Sequence, residues 1–321
     1  MKILQTLEVM LLYGDLISVV IPVYNRAHAV SRSVGSICAQ SYKNLDIIVV
    51  DDCSSDDIVG AIKSLNDPRI RLLRHKKNGG ASAARNTGIS AAEGKLVAFH
   101  DSDDVSIFDR LERQMKLLSS LPSEYIGVYS ALLSYTIVPE EAYSQSSSHM
   151  LPPAHRSPLS GDLFRGTLEG NFVNTPTMLL KKNAVLSAHS FDERLRNNVD
   201  WDFTLRLTQQ GKLQFISQPL YLAGYATHKT TTHDHISHNS RYSSLSYSYI
   251  TGKMRRAGFS GPELSNHYIS TGSHLMRIGR PKLARRYFHA ARTNAQNGFR
   301  VWMHIVLSYS PRLHAWARRS R

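Results

Sequence analysis

At 321 residues the chain is long enough to bury a sizeable core, and one main domain with an appendage is the natural expectation. Its net charge of +14 is unevenly placed: the stretch from Thr251 to Arg321 holds 14 Lys or Arg against one acid, Glu263, so the rest of the chain is close to neutral. Two cysteines, Cys38 and Cys53, exclude a disulfide framework and point to a reducing cytosol, and no apolar run reaches the roughly 20 residues of a membrane span.

The first 15 residues, MKILQTLEVMLLYGD, hold a short, interrupted apolar stretch with no small-residue cleavage site. They read as a dispensable leader, with Met10 a candidate start. Leu16–Ile21 and Ile47–Val50 are apolar runs that predict strands buried on both faces, and Leu96–Phe99 is a third. Helices are predicted at His28–Ala39, Asp57–Leu65, Ala81–Ala92 and Ile107–Leu118, so the first half alternates strand and helix in βαβ fashion. Tyr125–Val138 predicts a further strand. Residues 139–162, rich in Ser and Pro without apolar periodicity, predict a loop. Val173–Lys181 and Phe191–Leu207 follow, the latter with a helix starting near Val199.

From about Ser237 the pattern turns helical. Pro281–Asn297 is the clearest case, with Leu283, Ala284, Tyr287, Phe288, Ala291 and Ala295 on one face and Arg285, Arg286, His289 and Arg292 on the other. Pro281 suits the first turn and Asn297-Gly298 the stop. No second copy of this segment marks a repeat.

Chemistry concentrates where the third strand ends, at Asp101, Asp103 and Asp104. Carboxylates this close repel one another, and burial worsens the repulsion. A hard divalent cation, Mg²⁺ or Mn²⁺, removes that penalty and can bridge carboxylates to a substrate's phosphates. An acidic loop capping the next helix is the plainer reading of this tetrad alone. No G-x-G-x-x-G follows the first strand and no G-x-x-x-x-G-K-[ST] occurs, so dinucleotide and P-loop readings lose their support.

Five segments in order, I-P-V-Y-N-R from Ile21, V-V-D-D-x-S from Val49, N-x-G-x-x-x-A-R-N-x-G-I from Asn78, F-x-D-S-D-D from Phe99, and F-D-E-R-L with D-W-D-F-T-L-R-L from Phe191, resemble the family 2 glycosyltransferases. The resemblance covers roughly residues 16–222. It implies an α/β GT-A fold: a Rossmann-like mixed sheet flanked by helices, here with a basic α-helical C-terminal extension. The expected boundaries are 1–15 for the leader, 16–236 for the GT-A domain and 237–321 for the basic helical region. Within the GT-A domain, 16–118 is the nucleotide-binding half and 119–236 the acceptor half.

The resemblance further implies a metal-dependent, inverting hexosyl- or N-acetylhexosaminyl-transferase. The donor would be a nucleoside diphosphate sugar, a UDP-sugar first among them, and the acceptor a hydroxyl on a saccharide or lipid-linked saccharide. The setting would be synthesis of a cell-envelope polysaccharide or glycolipid. By the same resemblance Pro22, Val23 and Tyr24 line the base pocket and Asp52 accepts a hydrogen bond from the base. Arg85 and Asn86 either position the carboxylate strand or touch the ligand. Asp101 contacts the ribose or supports the site, Asp103 is the first choice of Mg²⁺ or Mn²⁺ ligand, and Asp104 is the alternative. Asp200 is the general base, and His228 is a candidate diphosphate contact.

The chain departs from the family at three places. The usual D-D-G-S is Asp51-Asp52-Cys53-Ser54, which removes easy access to positive φ. The Glu before the base is Val199, and the Arg of a Y-R-x-H loop is absent from Tyr225–His228. Asp202 fits a helix N-terminal cap. His228, His233, His235 and His238 lack the cysteine or glutamate partners of a structural zinc site.

The basic tail has two main readings. Aromatic residues beside arginines suit a peripheral position on the cytoplasmic face of a membrane, and a helical cap on the catalytic domain is the alternative; nucleic acid ranks below both. Competing functional readings are a non-catalytic nucleotide-sugar-binding protein and a sugar nucleotidyltransferase. The latter needs a Gly-rich basic signature after the first strand that Pro22–Arg26 does not supply.

Overall fold

The computed structural model describes residues 14–137, 148–152, 159–226, 240–293 and 298–310. The chain divides into two compact units, one of Met1–Glu193 with Asp200–Thr230 and one of Arg194–Val199 with Thr231–Arg321.

The first unit is built on one mixed sheet. Strands β1 (Ile17–Val23), β2 (Leu45–Asp51), β3 (Ile70–Arg74) and β4 (Leu96–Phe99) run parallel in the order β3-β2-β1-β4. Every residue of β1, β2 and β4 is buried, as unbroken apolar runs require of strands covered on both faces. Helix α1 (Ala27–Cys38) covers one face through Val30, Val34 and Ile37, which join Ile17, Val19, Ile21, Ile47 and Val49 in one core. α2 (Ile58–Lys63) is capped by Asp57, whose carboxylate accepts the Gly60 N–H at 2.8 Å. α3 (Ala81–Ala91) lies so close to β1 that a Cβ on Gly88 would come within 2.3 Å of Val20. Glycine is required there by close approach.

β5 (Val105–Ser106), α4 (Arg110–Ser120), β6 (Tyr125–Ile137) and β7 (Ser148–Leu151) follow in the chain. After them come α5 (Phe164–Glu169), a 3₁₀ turn (Thr175–Thr177), β8 (Met178–Lys181), α6 (Lys182–Ser187), α7 (Val199–Leu207) and β9 (Lys212–Ala226). β8 pairs antiparallel with both β4 and β6, β9 lies parallel to β6, and β5 closes the far edge against β9. This is the mixed α/β sheet flanked by helices that the sequence implies, with the C-terminal helices present.

Three local expectations need correction. Residues 139–162 are not all loop: β7 pairs with β6 through Leu132↔Leu151 to Tyr135↔Ser148, an edge pairing made by backbone groups that polar residues do not forbid. Residues 139–147 and 153–158 of that stretch lie outside the described residues. The helix expected from Ile107 begins at Arg110, because Ile107 donates its N–H to Leu220 O in β9. β3 and β9 escape the apolar-run criterion: β3 is an edge strand of mostly half-buried residues, and β9 is broken by the exposed run Ser217, Gln218 and Pro219.

The second unit is helical: α8 (Ser240–Arg256), α9 (Pro262–Arg277), α10 (Pro281–Arg292) and α11 (Gly298–Leu307), each packing on the next. In α10 the buried stripe is Ala284, Phe288 and Ala291, narrower than expected, because Leu283 turns out to solvent at 41% exposure. Residues 294–297 and the tail from Pro311 lie outside the described residues, as does the leader through Tyr13.

Candidate active site

The parallel strands end in polar residues on one side of the sheet, the position where open α/β sheets bind ligands. β2 delivers Asp51 and Asp52, both buried. Asp51 Oδ1 accepts the Ser54 N–H at 2.9 Å, and Arg74 Nε lies 3.2 Å from Oδ2. Asp52 gathers the loop that opens α3. Its Oδ1 lies 2.7 Å from His75 Nδ1 and accepts the Gly79 N–H at 2.9 Å, while Oδ2 accepts the Gly80 N–H at 2.6 Å. The other nitrogen of His75 meets Thr87 Oγ1 at 2.9 Å. Gly80, with φ of +87°, turns the chain so that its N–H reaches the carboxylate. Both oxygens of Asp52 therefore already accept bonds from within the protein, and a nucleotide base would share an occupied oxygen.

Between these aspartates and Ser54, Cys53 sits at φ of +66°, the left-handed conformation that the usual glycine adopts freely. Its Sγ lies 3.7 Å from Lys76 O. On the neighbouring strand Pro22 and Val23 are buried within β1, whereas Tyr24 is 45% exposed at its end. Of that trio, Tyr24 alone offers an open ring face.

β4 delivers the carboxylate cluster. Asp101 Oδ1 accepts from Arg85 Nη2 at 2.7 Å, and its carbonyl accepts the Ser33 hydroxyl at 2.8 Å. Asp103 pairs with Arg26 at 2.9 Å, and its carbonyl accepts from Arg32 Nη2 at 3.1 Å. Asp104 is buried, with Oδ1 accepting the Gly224 N–H at 3.3 Å. Burial, and then the like charges of Asp101 and Asp103, push its pKa up to about 8, while a hydrogen bond from Tyr221 partly opposes them.

Among the described residues, no three His, Cys, Asp or Glu side chains are grouped so as to hold a metal ion by themselves. The donor set fits an open one. Asp103 is only partly buried, and the excess negative charge that raises Asp104 suits a cation that also takes phosphate oxygens.

Arg85 connects this cluster electrostatically to Asp200. It is buried, lies 5.5 Å from the centroid of the Phe191 ring, and feels both Asp101 and Asp200. Burial alone would lower its pKa; the two carboxylates more than reverse that and hold the guanidinium charged. Asp200, near the start of α7, accepts the Thr175 N–H at 3.4 Å. Desolvation raises its pKa, Arg85 opposes the rise and Asp101 adds to it. The buried Asp202 carboxylate binds Arg206 one turn later, at 2.7 Å to Nη2 and 3.1 Å to Nε. Asn86 donates to Phe191 O at 2.9 Å and to Glu193 Oε1 at 2.8 Å, and accepts the Phe191 N–H at 2.9 Å. It fastens the Phe191 segment to α3. His228 lies outside the described residues.

Three buried residues behind the cluster carry no sequence signal. Tyr221 on β9 accepts the Asp101 N–H, Arg110 places its guanidinium 5.4 Å from the Tyr221 ring centroid, and His100 packs edge-on against the same ring. Arg110 is wholly buried, which lowers its pKa to about 10, and it donates to Pro176 O at 2.5 Å. In sequence it reads as one more charge on a solvated helix.

The family described as Glycosyl transferase family 2 matches residues 18–142. The putative colanic acid biosynthesis glycosyl transferase WcaA of Escherichia coli K12 is 30% identical over 239 residues, covering 66% of this chain and 79% of WcaA. The UDP-Glc:alpha-D-GlcNAc-diphosphoundecaprenol beta-1,3-glucosyltransferase WfgD of Escherichia coli is 40% identical over 124 residues, 38% of this chain and 49% of WfgD. An uncharacterized glycosyltransferase of Rickettsia bellii is 32% identical over 205 residues; the match covers 64% of this chain but only 28% of that longer protein.

Two solved structures share the fold. TarS of S. aureus, residues 1–349 in complex with UDP-GlcNAc, superposes with a TM-score of 0.68 at 16% identity, covering 95% of this chain and 92% of that one. The mannosyltransferase PcManGT of Pyrobaculum calidifontis, in complex with GDP-Man and Mn²⁺, gives 0.54 at 14% identity, covering 98% and 95%. Among the described residues no helix is long and apolar enough to cross a membrane.

Proposed function

The chain belongs to glycosyltransferase family 2, and we propose that it transfers a sugar from a nucleoside diphosphate sugar to an acceptor hydroxyl with inversion at the anomeric carbon. The observation that carries this reading is Arg85, whose charge is shared between Asp101 of the carboxylate cluster and Asp200 of the acceptor half.

Asp200 takes the proton of the acceptor hydroxyl as that oxygen attacks the sugar. Its raised pKa makes it a better proton acceptor than a solvated aspartate, and Arg85 limits that rise. Asp103, supported by Asp104, would hold Mg²⁺ or Mn²⁺, which supplies charge stabilisation to the departing diphosphate. Tyr24 offers its exposed ring to the base, and Asp52 fixes the loop beside it.

We take a UDP-sugar as the first donor to test, as in the name of WfgD and the TarS complex, with GDP-mannose second, as in the PcManGT complex. The acceptor class is a saccharide, free or lipid-linked, in envelope polysaccharide or glycolipid synthesis; the names of WfgD and WcaA support this. The test is a panel of nucleotide sugars with and without Mg²⁺ or Mn²⁺, read by thermal stabilisation and by slow donor hydrolysis. Metal-dependent stabilisation with hydrolysis is expected. Stabilisation without any turnover would favour a nucleotide-sugar-binding protein, a reading to which Val199 in place of Glu lends weight.

A further inference from the structure

We propose that helix α11 docks the protein on an anionic lipid surface. α11 is apolar on two sides. Val301 and Ile305 turn inward and are buried, and His304 stacks on Phe288 with ring centroids 5.3 Å apart. Phe299, Trp302, Val306 and Tyr309, spaced by three and four residues, share another side and are 73, 57, 45 and 68% exposed. A surface helix ordinarily carries charge on that side.

Three features select lipid as the occupant. Trp and Tyr beside aliphatic residues suit the boundary between headgroups and acyl chains, where one end of the ring is wet and the other apolar. The ten residues of α11 extend only about 15 Å, so the helix can lie in that boundary and cannot cross it. The surrounding charge is of one sign. Arg285 places its guanidinium 4.5 Å from the Tyr309 ring centroid and donates to Ser308 O at 3.1 Å, while Lys282, Arg286 and Arg292 of α10 are exposed. From Thr251 onward the single acid is Glu263. A second copy of this face would set these cations against each other. Nucleic acid would meet the cations but leave Val306 without a partner. The inference rests on the second unit's own surface and stands apart from the transfer reading.

The test uses the full chain in co-sedimentation with vesicles of phosphatidylcholine, alone or mixed with phosphatidylglycerol. The native protein should bind the mixed vesicles and leave the neutral ones in solution. The double variant Phe299→Ser with Trp302→Ser should weaken that binding about tenfold or more without lowering the thermal midpoint, since both side chains are exposed. Lys282→Glu with Arg286→Glu, which leaves the apolar stripe intact, should weaken it as well, and added salt should mimic that variant. Undiminished binding by either folded variant would overturn the proposal. So would equal binding to neutral vesicles, or a Trp302-dependent dimer or oligonucleotide complex in a protein that ignores vesicles.

Discussion

The Tyr221 hydroxyl accepts the backbone N–H of Asp101 at 3.0 Å, tying the middle of β9 to the turn that carries Asp101, Asp103 and Asp104. The same side chain bonds to the Asp104 carboxylate, and Arg110 and His100 pack against its ring. The carboxylates at the end of β4 are thus held from behind by a strand that comes more than a hundred residues later in the chain.

Tyr221→Phe should therefore disturb the cluster more than it disturbs the fold. Losing the hydroxyl leaves the Asp101 N–H without its acceptor, at a cost of about 1–3 kcal/mol. The proposed metal and donor contacts should suffer next, so KM for donor should rise more than kcat falls. A stability loss with unchanged KM would make Tyr221 a packing residue only.

Cys53 offers a test with the opposite sign. A non-glycine residue at positive φ costs on the order of 1–3 kcal/mol, whereas glycine loses roughly 0.5–1 kcal/mol through the greater freedom of its unfolded chain. Cys53→Gly should stabilise the protein by about 1 kcal/mol, seen as a higher urea midpoint at constant m. A clear loss of stability would mean that the Sγ contact with Lys76 O outweighs the strain.

Asp104 predicts a pH dependence. Its folded pKa of about 8 stands above the unconstrained value of 3.8. Stability fully present below 3.8 is therefore lost as pH rises through that window to about 8, because the unfolded chain ionises where the folded one resists. Asp104→Asn should flatten the pH profile of the metal-free thermal midpoint, and saturating Mn²⁺ should flatten it for the native protein. A midpoint at pH 8 that neither change raises would remove Asp104 from the charged cluster.

Much of this arrangement is legible in the sequence, and the part that is not has a physical reason. β1, β2 and β4 announce themselves because strands buried on both faces must be apolar throughout, and their polar ends follow where those runs stop. Cys53 in place of glycine marks the loop, but only its φ of +66° shows that the loop uses the strained conformation. Tyr221, Arg110 and His75 are invisible for the converse reason. Each is a polar or aromatic residue whose importance comes from a partner far away in the chain: Asp101 for Tyr221, Pro176 for Arg110, and Asp52 for His75. An acid in the first turn of a helix can cap it or pair one turn on, and at Asp202 the structure adds the pair with Arg206.

The assignment of Asp200 as the base is the centre of this account, and Asp200→Asn measures it most directly. The variant should be compared with the native protein for binding of the donor by calorimetry and for transfer to acceptor, both with Mn²⁺. Asparagine keeps the acceptor for the Thr175 N–H but cannot take a proton, so donor affinity should stay within a few-fold while transfer falls about 10²–10⁴-fold. Transfer at the native rate would contradict the assignment, and joint loss of donor binding and transfer would reduce Asp200 to a structural partner of Arg85.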